Sequence, residues 1–230
     1  MPDSKPHCNL TNTRSVRFTA AIIVGFFCNI AFSVYAQQGN ESIGYKIANE
    51  RRCLLCHNPT GVNDHPKAPY LAGQKKAYLV AQMNQFKKRQ PAPPGMRRVS
   101  ERHHYFMDRQ TQLMDQDDIN LIAEYFSTYK CIPLRSNAVK SLPAPEKAKR
   151  CAFCHGQYGI SPFDTYPNIA GQKELYLIDQ LTAFRDSAVH GSKENRKDKR
   201  FHRMMVPAVI DLSAAEIEDI AKYYSKQSCE

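Results

Sequence analysis

Two short runs of this 230-residue chain have the residue types and spacing of a covalent cofactor anchor: Cys53-Leu54-Leu55-Cys56-His57 and Cys151-Ala152-Phe153-Cys154-His155. Cys-x-x-Cys-His is the attachment pattern of a c-type haem. Two thiols three positions apart share one side of a helical turn, where they add to the haem vinyl groups as thioethers. The His that follows at once reaches the iron as an axial ligand. Cys53, Cys56, Cys151 and Cys154 are therefore candidate attachment residues, His57 and His155 candidate iron ligands, and the cofactor complement is two covalently bound c-type haems. A zinc site made from both Cys pairs would place the pairs about 15–20 residues apart. Here 94 residues separate Cys56 from Cys151, and neither zinc nor a redox dithiol gives the two His a purpose.

The motifs belong to a larger repeat. A shift of 98 residues lays Gly61 on Gly159, Pro69 on Pro167 and Leu71-Ala72-Gly73-Gln74-Lys75 on Ile169-Ala170-Gly171-Gln172-Lys173. Tyr78-Leu79, Gln82 and Phe86 fall on Tyr176-Leu177, Gln180 and Phe184; His104, Met107, Tyr125 and Cys131 fall on His202, Met205, Tyr223 and Cys229. Two copies of one unit make up the chain beyond its leader.

The iron needs a sixth ligand, or an open position if it performs chemistry. Met107 and Met205 are the candidates, because that Met alone is kept in both copies and a thioether raises the potential as an electron carrier requires. Met83 and Met114 fall on Leu181 and Leu212 and read as core. His104 and His202, three residues before each Met, are the rival ligands. His65, His103 and His190 have no counterpart and read as solvent-exposed.

The elements that must position these groups read as helices. Residues 42–52 lead into the first motif and 145–150 into the second. Apolar side chains at helical spacing mark 75–89 and 173–187. Asp117–Tyr129 and Ser213–Lys226 close the two units, the second opened by a Ser213/Glu216 capping box. No alternating pattern is long enough for a sheet. Pro133, Pro143 and Pro145 mark 132–149 as a semi-rigid linker.

The start of the chain reads as an export signal. Lys5, Arg14 and Arg17 precede an uncharged apolar run from Phe18 to Val34, which ends Val34-Tyr35-Ala36. This predicts a signal peptide over 1–36, cleaved after Ala36, and a periplasmic protein; an uncleaved anchor is the alternative. Removal of the leader leaves 29 Lys+Arg against 21 Asp+Glu, a net charge of +8. The segments 87–105 and 185–203 carry +5 and +4, together more than this whole net charge. They read either as solvated loops or as steering surfaces for an acidic redox partner, with anionic lipid headgroups as a further target. A nucleic-acid role makes no sense for an exported chain. Cys131 and Cys229 could bond to each other, cross-link two molecules or stay free, and an oxidising compartment favours bonding.

Taken together, these residues resemble the dihaem cytochrome c4 group. The most specific matches are Cys151-Ala152-Phe153-Cys154-His155-Gly156, Pro167-Asn168-Ile169-Ala170-Gly171-Gln172, Met204-Met205 with Leu212-Ser213, and Tyr223-Tyr224. The resemblance implies an all-α fold of two tandem class I cytochrome c domains, each wrapped around one haem: domain 1 over 37–131, linker 132–149, domain 2 over 150–230. It implies His57 and His155 as proximal ligands, Met107 and Met205 as distal ones, and the carbonyls of Pro69 and Pro167 as acceptors for the imidazole N–H. The function implied is one-electron transfer between periplasmic or membrane-bound redox partners, toward a terminal oxidase, with no catalytic residues. A cytochrome subunit of a dehydrogenase complex, or a dihaem peroxidase or thiosulfate-oxidising enzyme, is the alternative. The first copy departs from the group: Asn58-Pro59 stands where Gly follows the second motif, and Asp108-Arg109 follow Met107.

Overall fold

A computed structural model of the chain describes residues 42–88, 100–131, 143–190 and 198–229. The expected leader, most of the expected linker and much of the two basic segments lie outside the described residues.

Each repeat is helical. In the first, α1 (Ile43–Glu50) precedes the motif helix α2 (Leu54–His57), α3 (Lys76–Lys88), the strand β1 (Ser100–His104), α4 (Tyr105–Gln112) and α5 (Gln116–Thr128). The second runs from a 3-10 turn (Glu146–Cys151) through the motif helix α6 (Ala152–His155), α7 (Glu174–His190), β2 (Asp198–His202), α8 (Met205–Val209) and α9 (Ala214–Ser225). The closing helices agree with the sequence expectation. Asp115 caps α5 and Ser213 caps α9, the latter in the reciprocal box with Glu216.

The closing helix of each repeat supplies its core. Ile119, Ile122 and Phe126 of α5 pack with Ala48, Leu79 and Met114, and Ile217, Ile220 and Tyr224 of α9 pack with Ala148, Leu177 and Leu212. Met83 and Leu181 pack against these clusters, as their alternation between Met and Leu suggested. Gly44 lets α1 approach α5: a Cβ there would lie 2.3 Å from the Leu121 carbonyl oxygen.

The repeats meet around a pseudo-two-fold axis. β1 and β2 pair antiparallel, with Arg102 opposite Arg200. This corrects the expectation of no sheet. Ser-Glu-Arg-His-His and Asp-Lys-Arg-Phe-His lack alternation, and each strand forms only because its copy supplies the partner edge. The Gln74 side chain bonds the backbone of Asn168 and the Gln172 side chain bonds that of Tyr70, each through donor and acceptor at 2.8–2.9 Å. Cys131 and Cys229 form a disulfide, which settles the three options left open by the sequence. The described residues, all beyond position 41, form one compact unit.

Four of the basic residues in the two charged segments turn inward. Lys87 Nζ donates to the Met114 carbonyl, and Arg185, its counterpart, donates to that of Leu212 at 3.2 Å. Arg102 and Arg200 lie in the seam between the repeats. The charge of these segments is thus only partly a surface property.

Candidate functional site

Each motif forms a single helical turn, which puts its two Cys on one side and its His inward. His57 and His155 are 7% and 6% exposed. Cys53, Cys56, Cys151 and Cys154 are free thiols. Burial pushes the Cys53 thiol up to about 11 and raises Cys151 as well. The chain after each motif reverses through a residue with positive φ, Asn58 at 55° and Gly156 at 76°. A Cβ at Gly156 would fall 2.0 Å from the Ile160 carbonyl oxygen. The loop then closes through matched bonds, Leu71 N to Gly61 O and Ile169 N to Gly159 O, both 2.8 Å. That closure returns Pro69 and Pro167 to the motif histidines.

The two imidazoles are held neutral. Burial lowers His57 to about 4; the nearby Pro69 carbonyl opposes this, and the charges of Lys173 and Arg102 reinforce it. Burial lowers His155 too, opposed by the Pro167 carbonyl and aided by Arg200. A neutral imidazole is the metal-binding form.

The Pro carbonyls behave differently in the two copies. His155 Nδ1 lies 2.9 Å from the Pro167 carbonyl oxygen, which leaves Nε2 as the free ring nitrogen. In the first copy, Asn63 Nδ2 donates to the Pro69 carbonyl at 2.9 Å, and His57 Nδ1 is buried without a hydrogen bond. The Pro69 carbonyl still raises His57 against its burial, so it lies near the ring without reaching hydrogen-bond geometry. Asn63 falls on Ser161, so this competition belongs to the first repeat alone.

Met205 opens α8 and packs against the second core, as Cys151, Ile169 and Leu181 also do. Met107, in the first turn of α4, has polar neighbours. Asp108 is buried, with Oδ2 2.8 Å from His103 Nδ1 and Oδ1 accepting from His104 N at 3.1 Å. Thr111, fully buried, donates to the Met107 carbonyl at 2.9 Å. The equivalents in the second repeat are Phe201, Val206 and Val209. His103 is thus half-buried and paired, a correction to its reading as solvent-exposed. Its partner was a visible anomaly, an acid directly after the candidate Met, but nothing in the sequence linked the two. His65 is exposed as expected, and the His190 side chain lies outside the described residues.

The rival ligands have another use. His104 Nδ1 accepts from Met107 N at 3.4 Å, capping α4, and His202 Nδ1 accepts from Met204 N at 3.3 Å. Both repeated His position the start of the Met helix.

Free thiols beside a buried, neutral imidazole that keeps a ring nitrogen available, twice over, fit covalent haem. The comparisons agree. The family model for cytochrome c matches residues 42–130 and again 147–227. The chain is 27% identical over 217 residues to cytochrome c-552 of Acidithiobacillus ferridurans, covering 85% of this chain and 84% of that protein. It is 29% identical over 181 residues to cytochrome c4 of Azotobacter vinelandii, covering 74% and 82%. The solved structure of cytochrome c4 from Acidithiobacillus ferrooxidans superposes with a TM-score of 0.57 at 27% identity, over 76% of this chain and 97% of that one.

This chain belongs to the cytochrome c family. Its two tandem units place it in the dihaem cytochrome c4 group, with all-α class I cytochrome c units and covalently bound c-type haem. It is a dihaem electron carrier.

Proposed function

We propose that each repeat is one complete relay. Cys53 and Cys56 would hold the first haem and Cys151 and Cys154 the second; His57 and Met107 would ligate the first iron, and His155 and Met205 the second. The observation that carries this reading is the second copy, where His155 is buried, neutral and tied through Nδ1 to the Pro167 carbonyl. That bond fixes the ring and aims Nε2 at one place. The bound haem supplies one-electron exchange between ferric and ferrous iron. The protein supplies ligands, burial and a docking surface, and no substrate bond changes.

The chain passes electrons between periplasmic or membrane-bound redox proteins with acidic docking faces, ending at a terminal oxidase. Residues 1–36 act as the cleaved export signal, 37–131 and 150–230 as the two domains, and 132–149 as the linker. Among the described residues no helix is long and apolar enough to cross a membrane; basic segments flanking the Met helices can still meet anionic lipid.

One observation favours a second reading. Asp108, directly after Met107, is buried and bonded to His103, where the second repeat has Val206 and Phe201. A labile ligand there would suit a haem enzyme. The ferric near-infrared spectrum separates the two: a sulfur-to-iron charge-transfer band of two-haem intensity, halved in Met107→Ala and again in Met205→Ala, supports two relays. A band of one-haem intensity, unaffected by Met107→Ala, assigns the first iron to chemistry instead.

A further inference from the structure

Each repeat reaches into the other with one buried glutamine, and both glutamines end on the same kind of peptide group. Gln74 Oε1 accepts from Asn168 N at 2.8 Å, and Gln172 Oε1 accepts from Tyr70 N at 2.9 Å. These N–H groups belong to the Pro167–Asn168 and Pro69–Tyr70 peptide units, so the carbonyls at the other end are those of the two loop prolines. Each glutamine also donates through Nε2, to the Asn168 or the Tyr70 carbonyl at 2.9 Å, and Oε1 takes a further bond from the N–H of Lys75 or Lys173. Two donors at one end and an acceptor at the other fix the orientation of both amides.

A peptide group passes polarisation from one end to the other. When its N–H donates, its carbonyl oxygen gains charge and accepts more strongly. In the second repeat this chain is continuous, from Gln74 Oε1 through the Pro167–Asn168 peptide to His155 Nδ1, 2.9 Å from the Pro167 carbonyl oxygen. In the first repeat it is interrupted. Asn63 Nδ2 occupies the Pro69 carbonyl at 2.9 Å, and His57 Nδ1 makes no hydrogen bond.

The interruption is itself imposed from the other repeat. Lys173 Nζ donates to Asn63 Oδ1 at 2.6 Å, which turns Nδ2 toward the Pro69 carbonyl. The equivalent Lys75 stands 3.9 Å from Asp164 instead. Ser161, at the position of Asn63, bonds the Cys154 carbonyl through Oγ at 2.8 Å and leaves Pro167 to the imidazole.

We propose that Gln74 and Gln172 are positioning residues aimed across the seam at the motif imidazoles, and that only one path is complete: Gln74 strengthens the bond that holds His155, while Lys173 and Asn63 cut the path from Gln172 to His57. This rests on the ligand roles proposed above for the two histidines. A stronger bond at Nδ1 makes the imidazole a more basic ligand, which favours ferric iron and lowers the potential. The first repeat therefore holds down the potential of the second, with no matching effect in return.

The test uses Gln74→Met and Gln172→Met in the haem-loaded protein. The readouts are a redox titration followed by NMR, which separates the two irons, and the histidine Nδ1–H resonances of the fully reduced form. The two glutamines make matching bonds, so the variants lose equivalent structure. Gln74→Met is expected to raise the second potential and move the His155 Nδ1–H resonance upfield, as a weakened hydrogen bond does. Gln172→Met is expected to leave the His57 resonance and the first potential in place. Gln74→Glu keeps an acceptor for Asn168 N–H and is expected not to raise the second potential. Equal shifts in the two Met variants would reveal a loosened seam instead of transmission through the peptide, and they overturn the proposal; so does an unmoved second potential in Gln74→Met. Should that variant fail to hold haem, Asn63→Ser decides, because it leaves both glutamines bonded. The freed Pro69 carbonyl then captures His57 Nδ1–H and lowers the first potential; an unmoved potential and resonance overturn the proposal. If the unaltered protein shows no histidine Nδ1–H resonance shifted by a haem ring current, the ligand reading itself fails, and the proposal with it.

Discussion

Cys131 and Cys229 are joined across 98 residues of chain, their Cα atoms 6.1 Å apart, so the disulfide ties the same position of each repeat to its copy. It lies beyond the closing helices, beside the reciprocal Gln74 and Gln172 bonds. The β1–β2 ladder forms another clasp. Two distinct sets of contacts hold the repeats together, and each is built from equivalent residues.

Replacing both Cys131 and Cys229 with Ser is expected to lower stability by about 2–5 kcal/mol, the range for removal of a native disulfide. Denaturant unfolding of the two proteins measures it. Each repeat keeps its own core, so haem retention should be unchanged.

Gly44→Ala is expected to cost about 1–3 kcal/mol. The added Cβ meets the Leu121 backbone oxygen, which cannot rotate away, so α1 must back off from α5. Thermal unfolding should show the loss, and Gly44→Ser should be no better tolerated.

Asn58→Gly is expected to stabilise the first repeat by about 1 kcal/mol. Asn58 has φ 55° and ψ 161°, a region essentially reserved for glycine, and a proline follows it. The gain is reduced by loss of the Asn58 Nδ2 bond to the Val62 carbonyl. A higher unfolding midpoint is the expected readout.

Asp211 links stability to acid. Hydrogen bonds from Lys147 and Arg150 lower its carboxyl to about 2, from an ordinary 3.8. Its contribution is therefore complete above the ordinary value and disappears as pH falls through about 2. Asp211→Asn should flatten the acid limb of a stability-against-pH curve in that window. An unchanged limb would show that these ion pairs do not hold the second motif's lead-in turn to α8.

The sequence was most informative where the chemistry is local. Cys-x-x-Cys-His needs only consecutive residues, and the closing helices carry their own caps, so both were legible. The 98-residue repeat made Met107 and Met205 stand out from the other methionines. What it concealed depends on contact between the copies. The strands at 100–104 and 198–202 have no pattern of their own, and Arg102 and Arg200 read as surface charge, whereas the seam buries Arg200 and partly covers Arg102. The Asp108–His103 pair was equally hidden, since no periodicity joins an acid to a histidine five residues back. Asn63 intercepting the Pro69 carbonyl is a matter of side-chain reach, and the aligned Ser161 gave no hint of it.

The central claim is that each repeat holds one haem with a complete ligand set and passes one electron. A spectroelectrochemical titration of the purified protein tests it most directly. The account expects two electrons per chain, taken up in two one-electron steps, with both irons low-spin throughout. Uptake of one electron, or a first-repeat iron that turns high-spin in either state, would contradict it.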